Sequence, residues 1–382
     1  MQFKDVVGHQ ALKNQLIYNV HNNRISHAQL FLGPEGNGGL PLALAFAQYI
    51  QCRDKKPEDA CGVCPSCLKH KKLEHPDLHF FFPVARTKAF ENTDYEKVNS
   101  TDFYTPWREL LLQSPYFTYS QFIEKMGVEN KQLYINTESC NQVIRSLGLK
   151  TYESEYKIVI MWMIESLFHA ASPKLLKVLE EPPEKTLFLL VSQNKDKIIS
   201  TIRSRTQLVK VPQLREEETE KALVEKYRCE PGMAKQIALL SEGSFSKALE
   251  LAKTGNEPLA DFDTFRYWMR LCYRKNIPEL LSWVDEISKA GREKQKTFLQ
   301  YGLKMFRFCL LNNYKAPSLM QLDGEEKEFI QAFSPFVNHL NGLQIVGAFN
   351  EGLFHIERNA NPKILFSDLS FNLSRLLTPF KK

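Results

Sequence analysis

The sequence has no long hydrophobic run. Its longest strongly apolar stretch, from Ile158 to Ile164, is far shorter than the ~20 residues that a membrane-spanning helix needs. No apolar stretch follows the first residues, Met1 to Val6, so we expect no signal peptide. These absences argue against a membrane protein and predict a soluble, cytoplasmic one.

The chain also has no strong excess of one charge sign. Fifty Lys and Arg oppose 44 Asp and Glu, and the net charge of +6 is small for 382 residues. The basic residues are spread along the chain, and their densest clusters, at 69–72 and 292–296, are short. This distribution permits contact with nucleic acid without arguing for it. A zinc-containing DNA-binding protein therefore stays an alternative that lacks a concentrated basic stripe.

Short apolar stretches alternate with helical patterns in the first half of the chain, and a length of 382 residues predicts two or three domains. Continuous apolar strands that alternate with helices indicate an α/β fold with a parallel sheet covered on both faces. The predicted strands are 28–32, 78–82, 157–161, 186–191 and 206–211, and the predicted helices are 40–51, 143–149 and 172–181.

No convincing strand follows residue 215, where only amphipathic helical segments remain. These segments are 216–226, 231–241, 246–253, 261–274, 277–290, 293–312, 325–333, 337–357 and 362–377. Pro212 and the turn-rich stretch 254–258 mark the predicted boundaries. We therefore predict an α/β domain at 1–212, a small helical domain at 213–255 and a second helical domain at 256–382.

Residues 83–136 fit this alternation poorly, because they are polar and rich in aromatic side chains. We predict an insertion on the surface of the α/β domain with a small cluster of its own. The alternative is a surface that binds a partner.

Four of the eight cysteines lie within sixteen residues, at Cys52, Cys61, Cys64 and Cys67. Thiolates at these spacings can converge on one tetrahedral metal, and four of them leave no position open for water. The spacing predicts a structural zinc site. Four unligated thiols or an iron–sulfur cluster are the alternatives.

A glycine-rich segment follows the first predicted strand and precedes a helix, as a phosphate-binding loop does. Its glycines are Gly33, Gly36, Gly38 and Gly39. Gly33 and Gly38 match the pattern G-x-x-x-x-G-K-[ST], but Gly39 replaces the Lys and Leu40 the Ser or Thr. The backbone could still attract an anion, yet without these two side chains we predict no hydrolysis and no ATP as a cofactor, with residual nucleotide binding as the alternative.

The strand at 157–161 leads into Trp162 and Met163, where a nucleotide hydrolase would place an Asp-Glu pair. Neither side chain can ligate magnesium, and Glu165 comes two residues later. Two parts of one catalytic machine are therefore missing. This coincidence predicts a disused nucleotide site within a retained fold.

Two arginines, Arg203 and Arg205, flank Ser204 at the end of a short helical segment. They are either solvated charges, or one of them reaches into a neighbour's nucleotide site as an arginine finger.

Taken in order, these motifs resemble bacterial DNA polymerase III clamp-loader subunits, which are members of the AAA+ ATPase superfamily. The resemblance rests on His-Ala-Gln-Leu-Phe at 27–31, the glycine loop, the four cysteines, Leu-Leu-Lys-Val-Leu-Glu-Glu-Pro-Pro at 175–183 and Ile-Arg-Ser-Arg at 202–205. Residues 356–363 resemble the helical collar domain of this family. The resemblance covers the chain except for the 83–136 insertion.

The resemblance implies the delta-prime branch of that family, which has commonly lost a working ATP site. It then implies a ring with ATPase subunits (gamma or tau) and a delta subunit, and contact with the sliding clamp and primed DNA through that complex. Arg205, in a Ser204-Arg205 motif, would be the finger, although Thr206 stands where Cys is common. Lys247 replaces the Arg usual in the second sensor segment, which weakens a sensing role. A hydrolysing gamma or tau subunit is the alternative.

Overall fold

The computed structural model describes residues 1–85, 98–128, 133–254, 258–314, 324–338, 341–358 and 360–377. They fall into two compact units, Met1–Gly255 and Asn256–Lys382. The division into three domains, with a boundary at Pro212, stays a prediction. In the described parts of the chain, no helix is long and apolar enough to cross a membrane.

The first unit contains a five-stranded parallel sheet in the order β2-β3-β4-β1-β5. Its strands are β1 (Ala28–Leu32), β2 (Leu78–Phe81), β3 (Lys157–Trp162), β4 (Thr186–Ser192) and β5 (Gln207–Lys210). Each lies within one or two residues of the strand predicted from the sequence. The predicted AAA+-like α/β class is confirmed.

Eleven described helices surround the sheet or follow it. They are α1 (Gln10–His21), α2 (Gly39–Gln51), α3 (Pro65–Lys72), α4 (Tyr104–Gln113), α5 (Tyr119–Met126), α6 (Thr137–Gly148), α7 (Ser172–Glu180), α8 (Ser200–Ser204), α9 (Glu216–Tyr227), α10 (Pro231–Leu240) and α11 (Phe245–Thr254). The sequence analysis does not predict α1, α3, α4 or α5. Along β3, Ile158 and Ile160 join one hydrophobic cluster and Val159 and Met161 another, because successive side chains point to opposite faces of a sheet.

The prediction that residues 83–136 form a surface insertion with a cluster of its own is wrong for the described residues. Trp107 of α4 and Phe122 of α5 are fully buried, and they belong to the same cluster as the sheet residues of β3. The rings of Trp107 and Phe82 stack at 4.3 Å between centroids. Burying these large rings against the sheet stabilises the fold more than leaving them in a separate surface cluster. Residues 86–97 and 129–132 lie outside the described residues.

The second unit is helical throughout its described residues. Its helices are α12 (Pro258–Arg274), α13 (Ile277–Lys289), α14 (Arg292–Asn313), α15 (Glu325–Phe333), α16 (Gly342–Glu357) and α17 (Pro362–Leu376). Trp268 and Trp283 stack at 4.8 Å in its core, and the Trp268 indole donates a hydrogen bond to Ser370 Oγ at 2.9 Å.

The predicted helix 337–357 begins later than expected, at Gly342. Two asparagines hold the preceding turn: the Asn338 N–H donates to Asn341 Oδ1 at 2.7 Å, and Asn341 Nδ2 donates to the Phe336 carbonyl at 2.8 Å. Asparagine side chains that bond to nearby backbone compete with helix formation in this way.

Candidate functional site

Hydrogen bonds within the glycine loop, and from the loop to Val211 and His9, hold the segment between β1 and α2. Asn37 Oδ1 accepts from the Gly39 N–H at 3.1 Å, and Asn37 Nδ2 donates to the Val211 carbonyl at 2.5 Å. His9 Nε2 lies 2.6 Å from the Asn37 carbonyl oxygen. The Gly39 N–H, which opens α2, therefore already has a partner within the chain.

The first residue of α11 reaches this loop. The Phe245 N–H of α11 donates to the Gly36 carbonyl at 2.9 Å. Gly36 has φ +77°, and a Cβ there would lie 2.1 Å from Ser244 Oγ, so only glycine allows this close approach. Ser246 lines the cavity at the loop, whereas Lys247 Nζ lies 4.0 Å from Glu242 Oε2.

Aromatic side chains fill the space above the loop. The cavity between the loop and Tyr116, Phe117, Trp162 and Ser246 holds only about 30 Å³. A cavity of this size admits water. Phe117 and Trp162 meet edge to face at 5.2 Å. These rings therefore line the space beside the loop.

The residues at the end of β3 take part in packing and backbone bonding. Trp162 belongs to the aromatic cluster, and Met163 adopts a left-handed backbone, with φ +56°. Glu165 Oε1 accepts from the Gln193 N–H at 2.9 Å. Burial raises the pKa of Glu165, against the lowering effect of this hydrogen bond. One oxygen of the carboxylate that could serve as a magnesium ligand thus accepts from the backbone, whereas the other, Oε2, is buried without a hydrogen-bond partner.

The four predicted zinc ligands come together. The sulfur atoms of Cys52, Cys61, Cys64 and Cys67 all lie within 4.8 Å of one another, and those of Cys61 and Cys67 are 3.9 Å apart. A tetrahedral centre with Zn–S near ~2.3 Å requires sulfur atoms about 3.8 Å apart. The four cysteines could therefore bind a metal.

Backbone N–H groups point at these sulfur atoms. The N–H of Cys61 donates to Cys52 Sγ, and that of Cys64 donates to Cys61 Sγ, both at 3.3 Å. Burial alone would raise the pKa of Cys64, but the N–H groups of Cys67 and Arg53 outweigh it and lower that pKa to about 6. Such donors favour the thiolate form that a metal requires at Cys64, whereas burial raises the pKa of Cys52 and of Cys67.

The start of the chain supports the cysteine segment. Gln2 Nε2 donates to the Ala60 carbonyl at 2.5 Å, and the Asp59 carboxylate accepts from the N–H groups of Phe3 and Lys4. The loop before α3 is thereby held against the first residues of the chain.

Arg205 follows α8 and lies away from the loop cavity of its own chain. Its guanidinium pairs with Glu180 at the end of α7, and its Nη1 donates to the Thr201 carbonyl at 3.1 Å. Ser204 Oγ donates to the same carbonyl at 3.0 Å. Arg205 is half-buried and Arg203 is exposed.

Sequence reasoning missed a buried polar network beside the cysteines. His70 Nε2 lies 2.8 Å from Gln51 Oε1, and the Asp77 carboxylate accepts from the N–H groups of Glu153 and Ser154, both at 2.9 Å. Burial lowers the pKa of His70. The partners are far apart along the chain, so no local pattern signals them. The aromatic residues beside the loop, in contrast, are visible in the sequence, because the 83–136 insertion is rich in aromatic residues.

The first unit thus combines an AAA+-like fold with a glycine loop and a four-cysteine cluster. The family model described as "DNA polymerase III, delta subunit" matches residues 8–215. The chain therefore belongs to this family of clamp-loader AAA+ proteins.

Individual relatives agree. The DNA polymerase III subunit delta' of Bacillus subtilis is 24% identical over 83% of this chain and 79% of its own length. The subunit delta' of Yersinia pestis is 28% identical over 50% of this chain and 43% of its own. Subunit tau of Escherichia coli is 25% identical over 65% of this chain, but the match spans only 32% of tau.

A solved structure of a gamma subunit-related protein of Thermotoga maritima matches 96% of this chain and 100% of its own. Its TM-score is 0.43 at 14% identity.

Proposed function

We propose that this chain is a non-hydrolysing, delta-prime-type subunit of the DNA polymerase III clamp loader. In this role it helps to load the sliding clamp onto primed DNA and assembles with gamma or tau ATPase subunits and a delta subunit. The relatives named delta', gamma/tau and tau support such partners. The observation that carries the proposal is the closed glycine loop.

The chemistry of the loop supports the absence of hydrolysis. Gly39 and Leu40 supply neither the ammonium that reaches the terminal phosphates nor the hydroxyl that holds magnesium. The Glu35 carboxylate accepts from the Tyr119 N–H at 2.6 Å. This carboxylate places an acidic group beside the position where phosphate would bind. Charge that develops on a transferring phosphoryl group would find no cation here.

Arg205 gives the chain a role in a neighbour's reaction. Its guanidinium lies half-buried at the end of a short helix, outside its own loop cavity. We propose that it stabilises the γ-phosphate of ATP bound to the adjacent ATPase subunit. Its planar fork suits phosphate oxygens better than a lysine ammonium does, and Glu180 holds it near the surface until assembly.

We further propose that Cys52, Cys61, Cys64 and Cys67 hold a structural zinc ion. Four thiolate ligands leave no site for water, so the metal would order the loop before α3 and supply no catalysis.

The test of the non-hydrolysing role is the ATPase activity of the purified chain. We expect no magnesium-dependent turnover above background, and none after Gly39→Lys or Gly39→Lys with Leu40→Thr. Magnesium would still lack carboxylate ligands at Trp162 and Met163. A Cβ at Gly39 would meet its neighbours only at 3.5 Å or more, which is ordinary van der Waals contact. Turnover by the wild-type chain would instead favour a gamma- or tau-type subunit.

A further inference from the structure

We infer that residues 116–121 brace α11 against the glycine loop, in addition to the direct hydrogen bond from the Phe245 N–H to the Gly36 carbonyl. These residues, here called the strut, fill the space between the loop and the small helical segment with protein side chains. The inference deepens the proposed non-hydrolysing role and rests on it. The strut would fix the position of α11 whether or not ATP is present.

Tyr116 joins the start of the chain to α11. Its hydroxyl accepts from the Val7 N–H at 2.8 Å, and its ring meets that of Phe245 edge to face at 4.9 Å. The side chain is buried, and burial raises the pKa of its hydroxyl. Tyr116 and Phe245 share a hydrophobic cluster with Leu214 and Leu223. One side chain thus contacts the segment before the sheet and the segment after it.

Polar groups of the strut bind α11 on one side and the loop on the other. Gln121 Nε2 donates to Glu250 Oε1 at 2.9 Å, and Thr118 Oγ1 donates to the same oxygen at 3.4 Å. The Tyr119 N–H donates to Glu35 of the glycine loop. Two carboxylates, Glu35 of the glycine loop and Glu250 of α11, therefore accept hydrogen bonds from the strut.

Hydrogen bonds and core packing hold the strut in place. Thr118 and Gln121 form a capping box at the start of α5, with the Thr118 N–H donating to Gln121 Oε1 at 3.1 Å. The side chain of Gln121 thereby accepts from the Thr118 N–H and donates to Glu250 of α11. Phe117 is fixed beside Trp107 and Trp162 in the core of the sheet domain.

A donor–acceptor exchange between Gln121 and Glu250 tests this link. Gln121→Glu keeps the acceptor oxygen of the capping box but sets a carboxylate against Glu250. Gln121→Glu with Glu250→Gln restores one donor and one acceptor. The measurement is hydrogen exchange of the α11 amides at 245–252 in the full, zinc-loaded chain.

We expect Gln121→Glu to speed exchange in α11 about tenfold, which is the effect of losing one hydrogen bond to a charged group, and the double variant to return it near the wild-type rate. Leu112→Ala, at an exposed position of the neighbouring α4, is the control and should change nothing. Unaltered α11 exchange in Gln121→Glu, or no recovery in the double variant, would overturn the strut.

Adding Mg-ATP separates this inference from the proposed function. Slower exchange of α11 in the wild-type chain on adding Mg-ATP would contradict both the strut and the closed loop. Unaltered exchange with ATP, together with no effect of Gln121→Glu, would contradict the strut alone.

Discussion

Cys64 connects the cysteine cluster to α3, since its sulfur accepts from the Cys67 N–H at the first turn. We expect Cys64→Ser to lower the zinc content and to destabilise the chain by several kcal/mol, because a closed structural site contributes its binding free energy to folding. Elemental analysis and chemical unfolding measure the two effects. Cys229→Ser, away from the cluster, is the control and should keep one zinc per chain. A wild-type chain purified without chelator that contains no zinc would contradict the site.

His79 of β2 gives the stability of the first unit a dependence on pH. Burial, with the charge of Lys157 adding to it, lowers the pKa of His79 to about 4. Above pH ~6.5 the ring is neutral in both states, so it adds no pH dependence. Below that value the unfolded chain takes up a proton that the folded chain does not. Stability is then lost as the pH falls, by about 1.4 kcal/mol per unit at most, until the folded pKa is reached.

Replacing His79 measures this effect directly. Between pH 7.5 and 5.5 we expect the wild type to lose about 1 kcal/mol more unfolding free energy than His79→Gln does. Comparing the two proteins at each pH cancels the loss of zinc in acid. Equal losses in both would show that His79 does not titrate in this way.

Single residues differ in how far the sequence alone predicts them. Three of the four cysteines are three residues apart, so local spacing already predicts their convergence. Gly39 and Leu40 are read directly from a loop pattern. Tyr116 gives no such signal, since its partner Val7 is 109 positions away in the chain.

Among the helices and strands, the packing of the 83–136 insertion against the sheet is what hydrophobic periodicity does not predict. The helices α4 and α5 are short, and the aromatic residues on them suit either a surface cluster or a core. The contact between Trp107 and Trp162, with ring centroids 5.4 Å apart, joins segments that no local pattern relates. Strands were easier to predict, because a buried parallel strand is a continuous apolar run.

Removing the central ring of this insertion should therefore affect the whole first unit. We expect Trp107→Ala to lower the unfolding free energy by about 3–5 kcal/mol, the usual loss for a buried aromatic side chain. Leu112→Ala, half-exposed on the same helix, should cost under about 1 kcal/mol. Urea unfolding of the two variants compares them. A small, equal loss in both would mean that the insertion packs apart from the core.

For the whole molecule, the sequence predicts the α/β class because strands and helices alternate, while the order β2-β3-β4-β1-β5 follows from contacts between distant strands. The four-cysteine spacing and the glycine loop point to a family, but the aromatic side chains beside that loop, Tyr116, Phe117 and Trp162, come from separate parts of the chain. The role of the subunit therefore depends on tertiary contacts that local patterns do not contain.

A subunit that acts on its neighbour's ATP must show its effect only in the assembly. In the isolated chain, Arg205→Ala removes a partly exposed ion pair with Glu180. We therefore expect the free energy of unfolding to fall by under about 1 kcal/mol. In the assembled ring the same substitution should lower the ATPase rate of the neighbouring subunit, because arginine fingers speed phosphoryl transfer by about 10³–10⁵ in well-studied hydrolases. Other interfaces with fingers of their own reduce the expected drop to ~10-fold.

The most direct measurement is the clamp- and DNA-stimulated ATPase of the reconstituted loader. We expect Arg205→Ala and Arg205→Lys to lower the rate alike, by ~10-fold, because lysine lacks the planar fork that holds phosphate oxygens. Arg203→Ala, at the exposed arginine of α8, should keep the wild-type rate. Wild-type rates with Arg205→Ala in a properly assembled ring would contradict the account and leave Arg205 as a surface charge.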